Sequence, residues 1–362
     1  MNTFTKEDLK RFQSEPLDAK IQRSFAKIGE WYSRQKRQCY VSFSGGKDST
    51  VLADLCAQWC KAINEPLQLV FVNTGLEYPE IRHHVEFFAQ WLRDKYGIEV
   101  NLEILRPKMR FDEVIKKYGY PMISKNVSNC VRGAKRGWKS HMNLLDGLDS
   151  NGAERKSKFA KAKYKPLLNV DFDVSEQCCD VMKKKPLYDY QKLTTKKPII
   201  ATMAEESMFR EKNWLKSGCN AFDGKKPMSK PMSFWTEQDV LQYIKKYNIP
   251  ISSVYGSVVY AEAPEQIRID DFGIEFGTEK LKTTGCSRTG CIFCGFGCHL
   301  EKAGEGRFER LKETHPRQYE YCIGGGEYDE NGKWIPNKKG LGLGHVFDEL
   351  NKIYGEDFIK YK

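Results

Sequence analysis

The sequence predicts an α/β protein: a doubly wound parallel sheet of about five strands with helices on both faces, continued by a cysteine-rich C-terminal region. Three observations predict it. Short apolar, β-branched runs recur at 39–43, 67–73, 99–105 and 198–203. Helix-period stretches at 47–62 and 80–96 separate the first three runs. The first run empties into a glycine turn that opens a helix. Strand–helix–strand alternation at this spacing argues for a parallel sheet with helices covering both faces.

Residues 1–37 read as a helical lead-in, with Ile21, Phe25, Ile28 and Tyr32 spaced for one buried face. The nucleotide-type α/β domain is expected over 38–250 with a basic insert at 124–165, and the cysteine-rich region over 251–362. The turn Ser44-Gly45-Gly46-Lys47-Asp48-Ser49 follows the first strand. Two glycines let the backbone approach an anion, and the next helix offers free N–H groups at the positive end of its dipole. Ser44 and Ser49 add hydroxyls and Lys47 a point charge, while Asp48 can cap the helix or help hold Mg²⁺. This is not a Walker loop, because Val41 and Asp48 stand where that pattern needs Gly and Ser or Thr.

The second strand runs into Asn73-Thr74-Gly75-Leu76-Glu77, placing Thr74, Gly75 and Glu77 at a carboxyl edge where open α/β sheets bind ligands. Glu205, Glu206, Ser207 and Arg210 follow the fourth strand in the same way. Thr236 and Asp239 begin an apolar-periodic helix with a capping pattern, a structural feature. A charged helix is expected near 305–320 and a closing helix near 345–354.

With 362 residues and 30% charged side chains, the chain can bury a sizeable core. No apolar run reaches the roughly 18 residues needed to cross a bilayer, and the polar start lacks a signal core, so a cytoplasmic location without membrane contact is expected. The net charge of +11 suits a nucleotide or nucleic-acid partner. Basic residues crowd 125–165, from Lys125, Arg132, Lys135, Arg136 and Lys139 to Arg155, Lys156, Lys158 and Lys165, with Trp138, His141, Phe159 and Tyr164 among them. Cations interleaved with aromatics are what a strand-tracking groove uses, although a charge run also serves as a solvated helix face.

Twelve cysteines in a cytoplasmic chain point to metal or redox chemistry before disulfides. Cys178, Cys179, Cys291 and Cys294 form two close pairs, enough for one tetrathiolate site on an iron–sulfur cluster or on Zn²⁺. Adjacent cysteines favour the cluster, since neighbouring side chains reach different irons more easily than one small ion. An alternative local set is Cys286, Cys291, Cys294 and Cys298. Cys56 and Cys60 read as core. Cys130, followed by Arg132, Lys135 and Arg136, is a candidate reactive or sulfur-carrying thiol, and Cys322 before three glycines is a second candidate by position.

The turn at 44–49 resembles that of the PP-loop ATP pyrophosphatase superfamily, whose members bind ATP there and cut it between the α and β phosphates. With the cysteine pairs, the basic stretch Lys183 to Leu187, Arg210 and the helix after Trp235-Thr236, the likeness extends to the phosphoadenosine phosphosulfate reductase family. That resemblance implies ATP with Mg²⁺ at the loop, Lys47, Asp48 and Arg210 as catalytic groups, and a [4Fe–4S] cluster on Cys178, Cys179, Cys291 and Cys294. Two features depart from the family: the interval from Cys179 to Cys291 is long, and the chain ends Asp357-Phe358-Ile359-Lys360-Tyr361-Lys362 where the reductases carry a nucleophilic cysteine.

DNA phosphorothioation sulfurtransferases, and reductase-like proteins beside some type IV CRISPR systems, look similar as well. The expected function is therefore ATP-dependent adenylation of an acceptor with cluster-assisted sulfur transfer, the acceptor including nucleic acid. The alternatives are a sulfonucleotide reductase using a thioredoxin-like reductant, and a non-catalytic adaptor that binds nucleotide and nucleic acid.

Overall fold

A computed structural model describes residues 3–154, 161–223, 226–261, 280–302 and 304–362. Arg155, Lys156, Lys158 and Phe159 of the basic stretch lie outside the described residues. The apolar runs become strands because their side chains are removed from water on both faces: Tyr40, Val41 and Phe43 are each at most 1% exposed. The chain divides into two compact units that interleave along the sequence. One comprises Met1–Asn73, Glu77–Leu105 and Tyr188–Thr289, the other Thr74–Leu76, Arg106–Leu187 and Gly290–Lys362. The helical lead-in thus belongs to the sheet-bearing unit, and the basic insert shares the other unit with Cys291, Cys294 and the C-terminal helices.

The first unit holds a sheet of β1 (Cys39–Ser42), β2 (Leu67–Val72), β3 (Val100–Leu105), β4 (Lys197–Ile199), β5 (Asn220–Ala221) and β6 (Met228–Ser229). Its order is β3-β2-β1-β4-β6-β5, parallel throughout except for the β5–β6 edge. Val41 sits opposite Leu69 on one side and Ile199 on the other, so the central strand is hydrogen-bonded along both edges. β4 is shorter than the run 198–203 suggests: the Ile200 amide still bonds the Ser229 carbonyl at 2.9 Å, and Ile200, Ala201 and Thr202 line a cavity.

The lead-in is two helices, Lys6–Gln13 and Leu17–Arg34, separated by Pro16. Thr5 and Asp8 form a capping box on the first, and the second buries Ile21, Ile28, Trp31 and Tyr32. Lys20, 2% exposed, is neutralised by Asp239 at 2.7 Å, the same residue that completes the capping box of the helix Glu237–Lys246.

In the second unit, residues 120–123 form a hub. Tyr120 bridges Val174, and Met122–Ile123 pair in parallel with Gly295–Phe296. The backbone just before the Cys178–Cys179 pair and the backbone just after Cys294 are therefore hydrogen-bonded to one short segment. A Cβ at Gly295 would lie 2.7 Å from the Pro121 carbonyl oxygen, so glycine suits that close approach. The charged helix expected over 305–320 is two helices, Arg307–Thr314 and Pro316–Ile323, because Pro316 has no amide to continue the ladder and instead starts the second. The basic insert forms the helices Lys125–Lys135 and Lys139–Leu145. Among the described residues, no helix is long and apolar enough to cross a membrane.

Candidate functional site

In the first unit, β1 delivers the glycine turn to the start of the helix Lys47–Ala62, whose N-cap is Gly46 with no side-chain cap. Gly45 has φ +74°, and a Cβ there would stand 2.8 Å from Ile81 Cγ2 and 2.9 Å from Val85 Cγ2, so the turn accepts glycine alone. Ser49 braces the turn from within: its hydroxyl takes the Ser44 amide at 3.2 Å and donates to the Gly46 carbonyl at 2.9 Å. A Cβ at Gly46 would crowd the hydroxyls of Tyr255, Thr289 and Ser44. The space the glycine leaves open is a small polar cradle.

That cradle is one wall of a cavity with about 970 Å³ of empty volume. Ser44, Gly46, Lys47, Asp48 and Ser49 line it, together with Ile200 to Thr202, Glu206, Arg210, Tyr255, Arg288 and Thr289. Lys47, 2% exposed, donates to the Ser287 carbonyl at 2.8 Å and lies 3.0 Å from Glu237 Oε1. Its amide donates to the Tyr255 hydroxyl at 3.1 Å, and Tyr255 in turn meets Thr289 at 2.6 Å. Burial pushes the Asp48 carboxyl above the usual carboxylate range, opposed by Lys47 and Arg288. Asp48 Oδ1 is buried and hydrogen-bonded to nothing among the described residues, with Lys47 Nζ 3.7 Å away. A Mg²⁺ ion or its water would satisfy it. Glu206 joins Arg210 and Arg288, the latter at 3.2 Å, so two guanidinium groups converge on one carboxylate at the cavity wall. Helix N-terminal amides, a lysine and two arginines can hold a chain of phosphates, with Asp48 for its metal.

In the second unit, Cys178, Cys179, Cys291 and Cys294 line one small cavity with Leu76, Phe111, Pro121, Met182 and Lys183. The Cys-Cys pair precedes a π-helical turn, Asp180–Lys184, a wide geometry often found at functional positions. A hydrogen bond from Cys178 and the ammonium groups of Lys125 and Lys183 pull the Cys179 thiol below its ordinary value against burial. The Cys178 thiol, donor in that bond and buried, is pushed up. Burial raises Cys294 too, against the Arg307 guanidinium. Thiolates beside cations suit a metal–sulfur group. Among the described residues, no group of three or more His, Cys, Asp or Glu is arranged to hold one metal ion. Four thiols lining one cavity are the donors that an iron–sulfur cluster or Zn²⁺ takes.

Of the alternative set, Cys286 and Cys298 are not among the residues lining that cavity, and the buried Cys298 spends its thiol proton on the Gly295 carbonyl at 3.0 Å. Thr74 and Gly75, expected at the nucleotide edge, fall in the second unit, where the Thr74 hydroxyl accepts from the Leu76 amide at 3.2 Å. Glu77 returns to the first unit but is not among the residues that line its cavity.

Cys130 is not the low-pKa thiol its neighbours suggest. It is 1% exposed, burial pushes its thiol up, and it donates to the His141 carbonyl at 3.2 Å. Two of the nearby cations are occupied, Arg132 by Glu176 at 2.6 Å and Lys135 by Asp173 at 3.2 Å. Cys322 is fully buried with its thiol pushed well up, and so is no mobile nucleophile.

Glu237, Tyr255, Arg288 and Thr289 escaped the sequence reading. Glu237 was hidden in a helix cap, and Arg288 and Thr289 in a loop notable for its cysteines. Only a Gly-flanked Ser-Arg-Thr beside a cysteine loop could have signalled the last two.

A family model described as the phosphoadenosine phosphosulfate reductase domain matches residues 38–137 and 138–295, more than half of the chain. Two uncharacterized proteins of Methanocaldococcus jannaschii are similar over shorter stretches. One is 37% identical over 94 residues (26% of this chain, 18% of the relative), the other 32% identical over 118 residues (32% and 26%). The match thus spans about a quarter or less of the length of either relative. Among solved structures, the NH3-dependent NAD synthetase of Campylobacter jejuni in complex with nitrate superposes with a TM-score of 0.31 at 13% identity, covering 65% of this chain and 75% of that one. The U34-tRNA thiolase NcsA of Methanococcus maripaludis, with its [4Fe-4S] cluster, gives 0.32 at 16% identity, covering 65% of each chain. At those scores neither bears on the chemistry of this chain.

Proposed function

The chain belongs to the phosphoadenosine phosphosulfate reductase domain family, and from that premise we propose that it is an ATP-dependent enzyme that adenylates an acceptor and replaces the activated oxygen with sulfur. The observation that carries this reading is the presence in one chain of two cavities of complementary chemistry. One is lined by the glycine turn, Lys47 and the Asp48 oxygen that accepts no hydrogen bond among the described residues, and the other by Cys178, Cys179, Cys291 and Cys294.

In this reading, the amides at the head of the helix Lys47–Ala62 and the Lys47 ammonium hold the phosphates, while Asp48 holds Mg²⁺. Arg210 and Arg288 offset charge that develops on the phosphoryl oxygens. An acceptor oxygen attacks the α phosphorus, the bond to the α–β bridging oxygen breaks, and pyrophosphate leaves. Hydrosulfide then displaces AMP, which departs with the acceptor's oxygen, so the exchange is redox-neutral. An iron–sulfur cluster held by these cysteines would keep sulfide only at an iron that one of the four thiolates leaves open. Lys125 and Lys183 compensate the charge of those thiolates.

Anaerobic purification with iron and acid-labile sulfide analysis, followed by assay of pyrophosphate from ATP with candidate acceptors, tests the proposal. Pyrophosphate release that disappears in Lys47→Ala and Asp48→Ala is the expected result. Sulfite formed from adenosine phosphosulfate or its 3′-phosphorylated form, with no pyrophosphate from ATP, would replace it with the reductase reading that the family's name favours.

A further inference from the structure

The helix Lys125–Lys135 and the residues that close it have a composition that nucleotide and sulfur chemistry leave unused. Lys125, at its head, stands near enough to Cys179 for its ammonium to favour the thiolate. Its C-terminal end turns through Gly137, φ +80°, and presents Trp138 with 45% of its surface exposed. The indole is held in place from beneath: His141 packs edge-on against it at 5.0 Å and is itself fixed by Asn129 at 3.1 Å. A Cβ at Gly133 would lie 2.5 Å from His141 and 2.9 Å from Trp138, so this glycine is what lets both rings settle on the helix. A large apolar ring kept rigid yet open to water is a stacking platform.

The charge around the platform is one-sided. The carboxylates that face it are spent: Glu176 on Arg132 and Asn129, and Asp173 on Lys135 and Lys333. Arg136 and Lys139, both exposed, make no ion pair among the described residues. Lys125, Asn129, Arg132 and Arg136 follow one another at helical spacing along one face. Eleven residues of helix span about 16 Å, the reach of a few nucleotides.

We propose that this helix is a binding track for single-stranded nucleic acid, with one base stacked on Trp138, phosphates on Arg136 and Lys139, and the strand directed toward Lys125 and the thiol cavity. It deepens the proposed function, on which it rests for its purpose, by naming the acceptor as a single strand. A duplex has no unstacked base to offer the indole.

The test is fluorescence anisotropy of the full chain with labelled single strands of about twelve nucleotides, oligo-U and oligo-dT in separate arms. The wild type binds at least one of them, with affinity falling as salt rises from about 50 to 200 mM. Trp138→Ala weakens binding about ten-fold while Trp138→Phe preserves it, and Arg136→Ala and Lys139→Ala each lower the salt slope by about one. Tyr328→Ala, at an exposed ring elsewhere in the same unit, changes nothing. A difference between the two arms identifies the sugar the track prefers. Absence of binding in both arms, wild-type affinity in Trp138→Ala, or equal competition by duplex overturns the inference. Pyrophosphate release is measured separately. A chain that binds strands but never releases pyrophosphate contradicts the proposed reaction alone, and one that turns over without binding strands contradicts the track alone.

Discussion

Lys47 Nζ lies 3.0 Å from Glu237 Oε1, joining the phosphate-loop lysine to the first residue of a helix far along the chain. A polyphosphate bound at the loop competes with that carboxylate for the ammonium. Glu237→Gln removes the competitor and one negative charge near the phosphates, so affinity for ATP rises a few-fold, in keeping with the ~0.5–1 kcal/mol of a partly exposed ion pair. Calorimetric titration of both proteins with Mg-ATP checks this, and an unchanged or weaker affinity would show that Glu237 is not in competition with the ligand.

Gly45 stands in the left-handed region with Ile81 and Val85 against the place of a Cβ. Gly45→Ala adds about 1–2 kcal/mol of backbone strain and a steric clash, displacing the turn from the helix amides. ATP affinity drops by more than ten-fold, whereas Gly75→Ala, also at positive φ but with nothing within 4 Å, leaves it within a few-fold. Equal effects of the two substitutions would mean that the clash at the turn is not what binding feels.

His84, 5% exposed, meets the Thr50 hydroxyl at 3.1 Å, and burial pushes its pKa down to about 4. In the unfolded chain it titrates near 6.5. The folded state thus binds the proton less readily, so the contribution is fully present above about pH 6.5 and is lost as pH falls toward 4. Between pH 7 and 4 the wild type loses on the order of 3 kcal/mol more stability than His84→Gln. Urea unfolding at a series of pH values measures the difference, and parallel curves would refute it.

Serine at Cys178, Cys179, Cys291 or Cys294 removes a lining thiol of the second unit's cavity and is expected to lower bound iron and visible absorption sharply. Cys286→Ser and Cys298→Ser are expected to keep both, since neither thiol lines that cavity. Iron analysis of anaerobically purified variants distinguishes the two sets. Retention of iron in Cys178→Ser with loss in Cys298→Ser would reverse the choice.

Read alone, the chain's local patterns determined the strand–turn–helix around Ser44–Ser49, the parallel alternation that follows, the burial of Cys56 and Cys60, and the two cysteine pairs that prove to line one cavity. These are short-range consequences of hydrophobic period and glycine stereochemistry, or of spacings that stand out in composition. The tertiary structure decided what completes the cavity. Lys47 meets Ser287 across 240 residues of sequence, and Tyr255, Arg288 and Thr289 arrive with it. It also decided that the Cys130 thiol is pushed up rather than down, because burial outweighs an electropositive neighbourhood in which Arg132 is paired with Glu176. Charge near a thiol is visible in a string of letters, but desolvation and the choice of ion-pair partner exist only after the chain has folded.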